Sequence, residues 1–331
     1  MISLVTPAPV AHAGLLGLGV FRPERIVTND EICLRVDSND EWIQERSGII
    51  ERRHAGPDET VVTMATAAAL KALDDAGISA EQLDMVMIAT VTHRYQTPSA
   101  AVEVAAAIGA VNAAALDTSA ACAGFCYGLG IADGMIRSGV AKYILLIGAE
   151  KLSEILNFED RGTAFLFADG AGAVIVGETK AQGIGPTIWG ADGTQRDAII
   201  MDPDIFTAER TGTPSVLTMQ GQQVFRWAVS QMGDACTRAM TAAGVTVEDL
   251  AAFVPHQANN RITDALVKQL EMPERVAIAR DIAFSGNTSA ASVPLALARL
   301  RENGEVKSGD LILMVGFGAG LVHAAQVALV P

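Results

Sequence analysis

Three residues of this chain have types and settings suited to chemistry: Cys122, His256 and Asn287. Cys122 lies in Asp117-Thr-Ser-Ala-Ala-Cys-Ala-Gly-Phe-Cys126, where an apolar strand pattern turns into a small-residue helix. The unpaired N–H groups and positive dipole end of a helix N-terminus favour thiolate over thiol, and the same groups suit an oxyanion formed beside the sulfur. The simpler reading is a small hydrophobe in a tight helix start. His256 follows a strand pattern in Phe253-Val-Pro-His-Gln-Ala-Asn-Asn-Arg-Ile262, just past a strand end, where α/β enzymes place chemistry. Alone it reads as a capping residue. Asn287 sits in the polar loop Gly286-Asn287 ahead of a second small-residue helix. Convergence of a thiol, an imidazole and an amide from three loop-to-helix junctions points to nucleophilic catalysis. Cys126 is read as structural, and Cys33 and Cys236 as small buried groups.

The elements that must position these residues are present twice. The tetrapeptide TSAA starts at 118 and again at 288, running into Cys122 in one copy and Ser292 in the other. Ser-Gly pairs that precede the apolar runs YILLIGA and LILMVGFGA start at 138 and 308, the same offset of 170. Upstream, Ala76-Gly-Ile-Ser-Ala-Glu-Gln-Leu83 parallels Ala243-Gly-Val-Thr-Val-Glu-Asp-Leu250 at an offset of 167. Each follows an alanine-rich helix, with Gly where a C-cap belongs and a Ser or Thr suited to starting the next helix. Three landmarks in one order describe an internal duplication. Each half alternates strands and helices, which predicts helix-covered mixed or parallel sheets. The TSAA register sets Cys122 against Ser292, read as inert. Gly124, Gly128, Gly130 and Gly134 in the first helix are expected to let it pack against its twin after Ser292, with Pro294 in that twin's first turn.

The bulk sequence narrows the function classes. Its 331 residues are 50% hydrophobic, enough for a large core, and carry a formal charge of −14, which argues against nucleic acid as the main partner. An acidic partner would need a local basic patch. Four cysteines without a CxxC pair and five histidines without ligand spacing give no zinc site and no disulfide framework. The N-terminal MISLVTPAPVAHAGLLGLGV has no basic residue before Arg22 and two prolines in its apolar run, so it is a poor secretory leader. No stretch reaches the roughly 18 apolar residues of a membrane span. These features describe a cytoplasmic protein.

The motifs AACAGF, VPHQANNRI and GNTSAASVPLAL, in that order, resemble β-ketoacyl-acyl carrier protein synthase III, a thiolase-fold condensing enzyme. The resemblance extends to DSNDEWIQERSGIIERR (37–53), DRGTAFLFADGAGAVIVG (160–177) and GFGAGLVHAAQVALVP (316–331), the last most like actinobacterial members. It implies an α/β fold, the thiolase-like αβαβα layers of two duplicated halves with pseudo-two-fold symmetry. The halves are 1–180 with the nucleophile and 181–331 with the His and Asn, forming one catalytic unit. It further implies that Cys122 takes an acyl group from acyl-CoA, with the oxyanion on the backbone N–H groups of Cys122 and Ala319. Malonyl-acyl carrier protein then loses carbon dioxide, and its enolate attacks the acyl-cysteine. Neutral His256 and Asn287 suit that step as donors, where carboxylates would repel the enolate.

By the same resemblance Trp42 and Arg161 flank the CoA adenine, Arg46 meets the phosphates, and Arg226, Arg261 and Lys268 dock the acidic carrier protein. Thr97 stands where acetyl-preferring relatives often carry Phe, at the end of an acyl pocket completed by a dimer partner. Its size implies a longer or branched primer. Acyl-CoA, acyl carrier protein and a second copy of the chain are the implied partners, with no cofactor or metal, no nucleic acid and no membrane. GFGAG has only eleven residues after it, too few for a dinucleotide fold. A degradative thiolase would need a cysteine after Cys236, and no glutamate is placed for a hydroxymethylglutaryl-CoA synthase. A priming ketosynthase of a polyketide pathway shares every catalytic residue, and a non-condensing acyl-binding or acyltransferase relative is the remaining alternative.

Overall fold

A computed structural model describes residues 8–9 and 12–331. Residues 1–7, 10 and 11, part of the stretch weighed above as a leader, lie outside the described residues. The apolar runs become two five-stranded sheets with the same strand order and directions. In the first, Ala13–Phe21, Asp169–Glu178, Tyr143–Lys151, Met85–Ala89 and Ala114–Thr118 lie side by side, the first two pairings antiparallel and the last two parallel. In the second, Ile188–Ala191, Val322–Leu329, Leu311–Gly318, Ala252–Pro255 and Ala277–Ile278 repeat that pattern pairing for pairing. The duplication therefore extends to topology. Strands such as Tyr143–Lys151 are apolar nearly throughout because both of their faces are covered.

Five layers follow. Helices Val61–Ala76 and Ala100–Ile108 cover the outer face of the first sheet, and Gly221–Ala243 with Asn260–Gln269 cover the second. Helices Gly124–Arg137 and Ser292–Glu302 lie between, each touching strands of both sheets. Phe125, Leu129, Leu146, Val174, Leu295 and Met314 meet in this central core. The helices at 61 and 221 end on left-handed Gly77 and Gly244, at φ 66° and 71°. The helix starts expected next close only single 3-10 turns, Ala80–Gln82 and Val247–Asp249, because an apolar strand begins directly afterwards.

Structure shifts the register of the repeat. The turns into the two central helices are the 3-10 segments Ala121–Ala123 and Ser289–Ala291, each opening on a left-handed non-glycine residue, Ala121 at φ 43° and Ser289 at φ 50°. Superposing these turns pairs Ala121 with Ser289, Cys122 with Ala290 and Gly124 with Ser292. The offset is thus 168, and the two TSAA copies are out of step by two residues. The Ser-Gly landmarks also fail to correspond. Gly139 closes the first central helix, whereas Gly309 lies beyond the end of the second, whose own closing glycine is Gly304.

The helix glycines serve a different purpose from the one expected. An added Cβ would meet Ala89 at Gly124, Leu146 at Gly128 and Thr187 at Gly130, at 2.7, 2.4 and 2.8 Å. Gly124 and Gly128 let the helix lie against the first sheet, and Gly130 against Thr187 and Trp189 at the edge of the second; only Gly124 also approaches the twin turn, at Ala290. Gly134 is exposed, with nothing within 4 Å of such a Cβ. Among the described residues no helix is long and apolar enough to cross a membrane.

Candidate active site

Cys122, His256 and Asn287 line one cavity of about 620 Å³ between the two halves. Each is delivered by a different piece of the repeat. The left-handed turn at Ala121 carries Cys122, and strand Ala252–Pro255 ends one residue before His256. Asn287 is fixed by its backbone, which donates to Leu166 O and accepts from Ala168 N, both at 2.9 Å. All three side chains are buried.

One end of the Asn287 amide and one end of the His256 ring are each held by a protein hydrogen bond. Asn287 Oδ1 accepts from Ser289 N at 2.9 Å, and among the described residues Nδ2 has no protein acceptor. His256 Nδ1 lies 2.7 Å from Ser292 Oγ, and the Phe317 ring stands edge-on to the imidazole with centroids 5.2 Å apart. Burial brings the His256 pKa down to about 3, so the ring is neutral at physiological pH. Ser292, read from the sequence as inert, is therefore the partner of the site's histidine.

Burial works against the thiolate expected at this position. Burial pushes the Cys122 thiol up to about 12; a hydrogen bond from Ser289 opposes the rise and the nearby Glu150 adds to it. Cys122 sits inside a single 3-10 turn, two residues before the regular helix begins at Gly124, and no basic side chain contributes to its pKa shift.

Glu150 is the group that sequence reasoning missed. It is fully buried on strand Tyr143–Lys151 and accepts from Val91 N, Thr90 Oγ1 and Thr92 Oγ1. Ser289 Oγ lies 3.4 Å from its Oε1, so one hydroxyl stands between the carboxyl and the sulfur. Burial raises its pKa to about 7. The available signal was an acid inside an otherwise apolar strand run.

The remaining candidates divide into those at the cavity and those away from it. Ala319, Trp42, Arg46, Arg161, Arg226 and Arg261 all line the cavity. Trp42 lies on helix Asp40–Ser47, capped by Asn39, whose side chain accepts from Trp42 N at 2.8 Å. Arg161 does not stand across a gap from Trp42: its guanidinium lies 4.5 Å from the ring centroid, in contact with it, and Arg46 approaches the same ring at 5.8 Å. Arg261 covers Phe225 at 5.3 Å. Lys268 is exposed on helix Asn260–Gln269, away from the cavity, and Thr97 is exposed and also away from it. Among the described residues none of these four cavity arginines, nor Lys268, is in an ion pair, and no group of three or more His, Cys, Asp or Glu could hold a metal.

Known proteins resemble this chain in sequence and architecture. The family descriptions "3-Oxoacyl-[acyl-carrier-protein (ACP)] synthase III" and its "C terminal" counterpart match residues 116–193 and 240–329. The mycobacterial β-ketoacyl-[acyl-carrier-protein] synthase III of Mycobacterium tuberculosis is 51% identical over 333 residues, covering 100% of this chain and 99% of its own. This chain belongs to the β-ketoacyl-acyl carrier protein synthase III family. Membership makes it a condensing acyltransferase with the thiolase fold. The β-ketoacyl-[acyl-carrier-protein] synthase III of Streptomyces glaucescens is also 51% identical, with full coverage of both chains. Among solved structures, the priming β-ketosynthase of the R1128 polyketide pathway has a TM-score of 0.97 at 44% identity, covering 100% of this chain and 99% of its own. The synthase III of Aquifex aeolicus has a TM-score of 0.89 at 42% identity, covering 96% and 100%.

Proposed function

We propose that this chain condenses an acyl-CoA primer with malonyl-acyl carrier protein through an acyl-Cys122 intermediate, and so initiates fatty acid synthesis. The observation that carries this reading is one buried cavity lined by a thiol and by two neutral donors, His256 and Asn287. In the first half-reaction Cys122 sulfur bonds the acyl carbon, the carbon–sulfur bond to CoA breaks, and the thiol proton ends on the departing CoA sulfur. Backbone N–H groups of Cys122 and Ala319 are assigned to the oxyanion. In the second, malonyl-acyl carrier protein loses carbon dioxide and leaves its electron pair as a thioester enolate. His256 and Asn287 donate to the enolate oxygen, worth about 10²–10³ in rate per donor. The enolate carbon attacks the acyl-cysteine, a carbon–carbon bond forms, and the sulfur leaves and regains a proton from solvent. Both steps draw on thioester and carboxylate chemistry of the substrates, so no cofactor or metal is assigned.

Four arginines at the cavity of a chain with net charge −14 support anionic substrates there. We assign Arg46 and Arg161 with Trp42 to CoA, a base between Trp42 and Arg161 requiring the guanidinium to swing off the ring. Arg226 and Arg261, with Lys268 on the same helix face as Arg261, are assigned to the acidic carrier protein. A homodimer is supported by edge strand Ala114–Thr118 and by exposed Tyr95, Val102 and Val111 around it, and Thr97 would reach a partner's cavity from there. The halves 1–180 and 181–331 are assigned to one catalytic unit, because Cys122 comes from one and His256 and Asn287 from the other; a cytoplasmic location is assigned from the acyl-CoA and carrier-protein substrates.

The test separates the half-reactions. In His256→Ala and Asn287→Ala acyl transfer to Cys122 should persist while release of carbon dioxide from malonyl-acyl carrier protein falls by about 10²–10³. Equal loss of both steps would contradict the assignment. The likeness to the R1128 priming ketosynthase supports a second reading, priming of a polyketide with the same chemistry. Preference for a polyketide-pathway carrier protein over the fatty-acid one in a condensation assay would favour it.

A further inference from the structure

We propose that Ser292 fixes His256 as its Nε2–H tautomer and thereby commits the ring to donating in the decarboxylative step; this rests on the condensing reading above. Ser292 Oγ lies 2.7 Å from His256 Nδ1 and 3.3 Å from Gln257 N. The backbone N–H of Gln257 can only donate, so it occupies a lone pair of the hydroxyl. Among the described residues the hydroxyl proton has one acceptor, His256 Nδ1. A neutral imidazole that accepts at Nδ1 carries its proton at Nε2. The opposite tautomer would leave a buried hydroxyl proton without an acceptor, an unfavourable arrangement where Ser292 and His256 are 1% and 2% exposed.

The tautomer decides which half-reaction the ring serves. With Nε2–H it is a donor for an enolate oxygen and cannot take the proton of the Cys122 thiol. With a bare Nε2 it would be a base for the thiol and no help to the enolate. The Phe317 ring, edge-on at 5.2 Å, limits rotation of the imidazole out of this hydrogen bond. The duplicated turn explains how a serine comes to stand there. Ser292 opens helix Ser292–Glu302 at the position that Gly124 holds in the first copy, and a Cβ at Gly124 would lie 2.7 Å from the Ala89 side chain. Only the second copy has room for a side chain at this point, and it places a hydroxyl against the histidine. Ser292 is thus a positioning residue, acting through His256.

Two measurements test this. On wild-type protein labelled with ¹⁵N-histidine, long-range ¹H–¹⁵N spectra at pH 7, with His256 identified by comparison with His256→Gln, should show a protonated Nε2 and a bare Nδ1. A protonated Nδ1 would overturn the proposal whatever the variants do. In Ser292→Ala, loading of Cys122 from the best primer of an acetyl-, isobutyryl- and dodecanoyl-CoA panel should stay within about threefold of wild type. Release of carbon dioxide from malonyl-acyl carrier protein should slow by about 10- to 100-fold, short of the full loss of a donor, and Ser292→Thr should recover most of it. Equal slowing of both steps, or of neither, in a folded Ser292→Ala protein would refute the role. Failure of wild type to load Cys122 at all would sink the condensing reading instead, and leave the tautomer result standing by itself.

Discussion

Gly318 sits where strand Leu311–Gly318 runs against the Cys122 turn, and an alanine there should disable the nucleophile without unfolding the protein. Its φ lies outside the left-handed region, so Gly318→Ala puts no strain on the backbone. The added methyl would lie 2.8 Å from Cys122 Cβ and 3.0 Å from both its N and its Sγ. Non-bonded carbon contacts relax near 3.5–4.0 Å, so roughly 0.5–1 Å of separation must be found. The neighbours are turn backbone and a side chain of one rotatable bond, and Gly316 on the same strand already brings Ala123 Cα to 3.0 Å of its own Cβ position. The turn therefore has to move as a block. Overpacking of this kind costs about 1–3 kcal/mol of stability, and a displacement near 1 Å at a reacting atom costs about 10² in rate. Single-turnover acylation followed by intact-protein mass should show the adduct forming about 10²-fold more slowly, in a protein that still unfolds cooperatively. Acylation at the wild-type rate in folded Gly318→Ala would refute the claim that this strand fixes the sulfur.

Other expectations are more local. Gly134→Ala, in helix Gly124–Arg137 at an exposed position with nothing near the added Cβ, should raise stability by about 0.5–1 kcal/mol in urea unfolding and leave turnover unchanged. Arg161→Ala should raise KM for acyl-CoA by about three- to thirtyfold with kcat preserved, the scale of a cation–π contact between the guanidinium and a bound base once it has swung off the Trp42 ring. Glu150 has its pKa raised from an ordinary 4.5 to about 7, so the folded state holds a proton that the unfolded chain has lost. Its contribution to stability is full below pH 4.5 and is lost as pH rises through 7, by about 3 kcal/mol at most. Glu150→Gln should flatten that part of the stability–pH curve, read from urea midpoints between pH 5 and 8; an unchanged slope would mean the carboxyl titrates normally.

The sequence made the duplication and the three central residues legible because apolar strand runs and small-residue helix entries are local patterns. The register was less so. TSAA and Ser-Gly are common strings in an alanine-rich chain, and their shared offset of 170 concealed the 168 of the folded turns, which depends on where the left-handed residue falls. That slip hid the part played by Ser292, set opposite Cys122 when its counterpart is Gly124. Gly139 and Gly309 show the same limit, since a helix three residues shorter moves its closing glycine to Gly304. The surroundings of Cys122 were illegible for a different reason. A helix terminus favours thiolate, whereas burial and the nearby Glu150 push the other way, and neither is visible in a linear string. Glu150 is linked to the site by Ser289, 139 residues away in the chain.

The central claim is that Cys122 carries the acyl group. Intact-protein mass after incubation with acetyl-, isobutyryl- and dodecanoyl-CoA, on wild type and on folded Cys122→Ala, addresses it directly. A single acyl adduct is expected on wild type, none on Cys122→Ala, and discharge of the adduct when malonyl-acyl carrier protein is added. An adduct of the same mass on Cys122→Ala, or an adduct on wild type that malonyl-acyl carrier protein leaves in place, would contradict it.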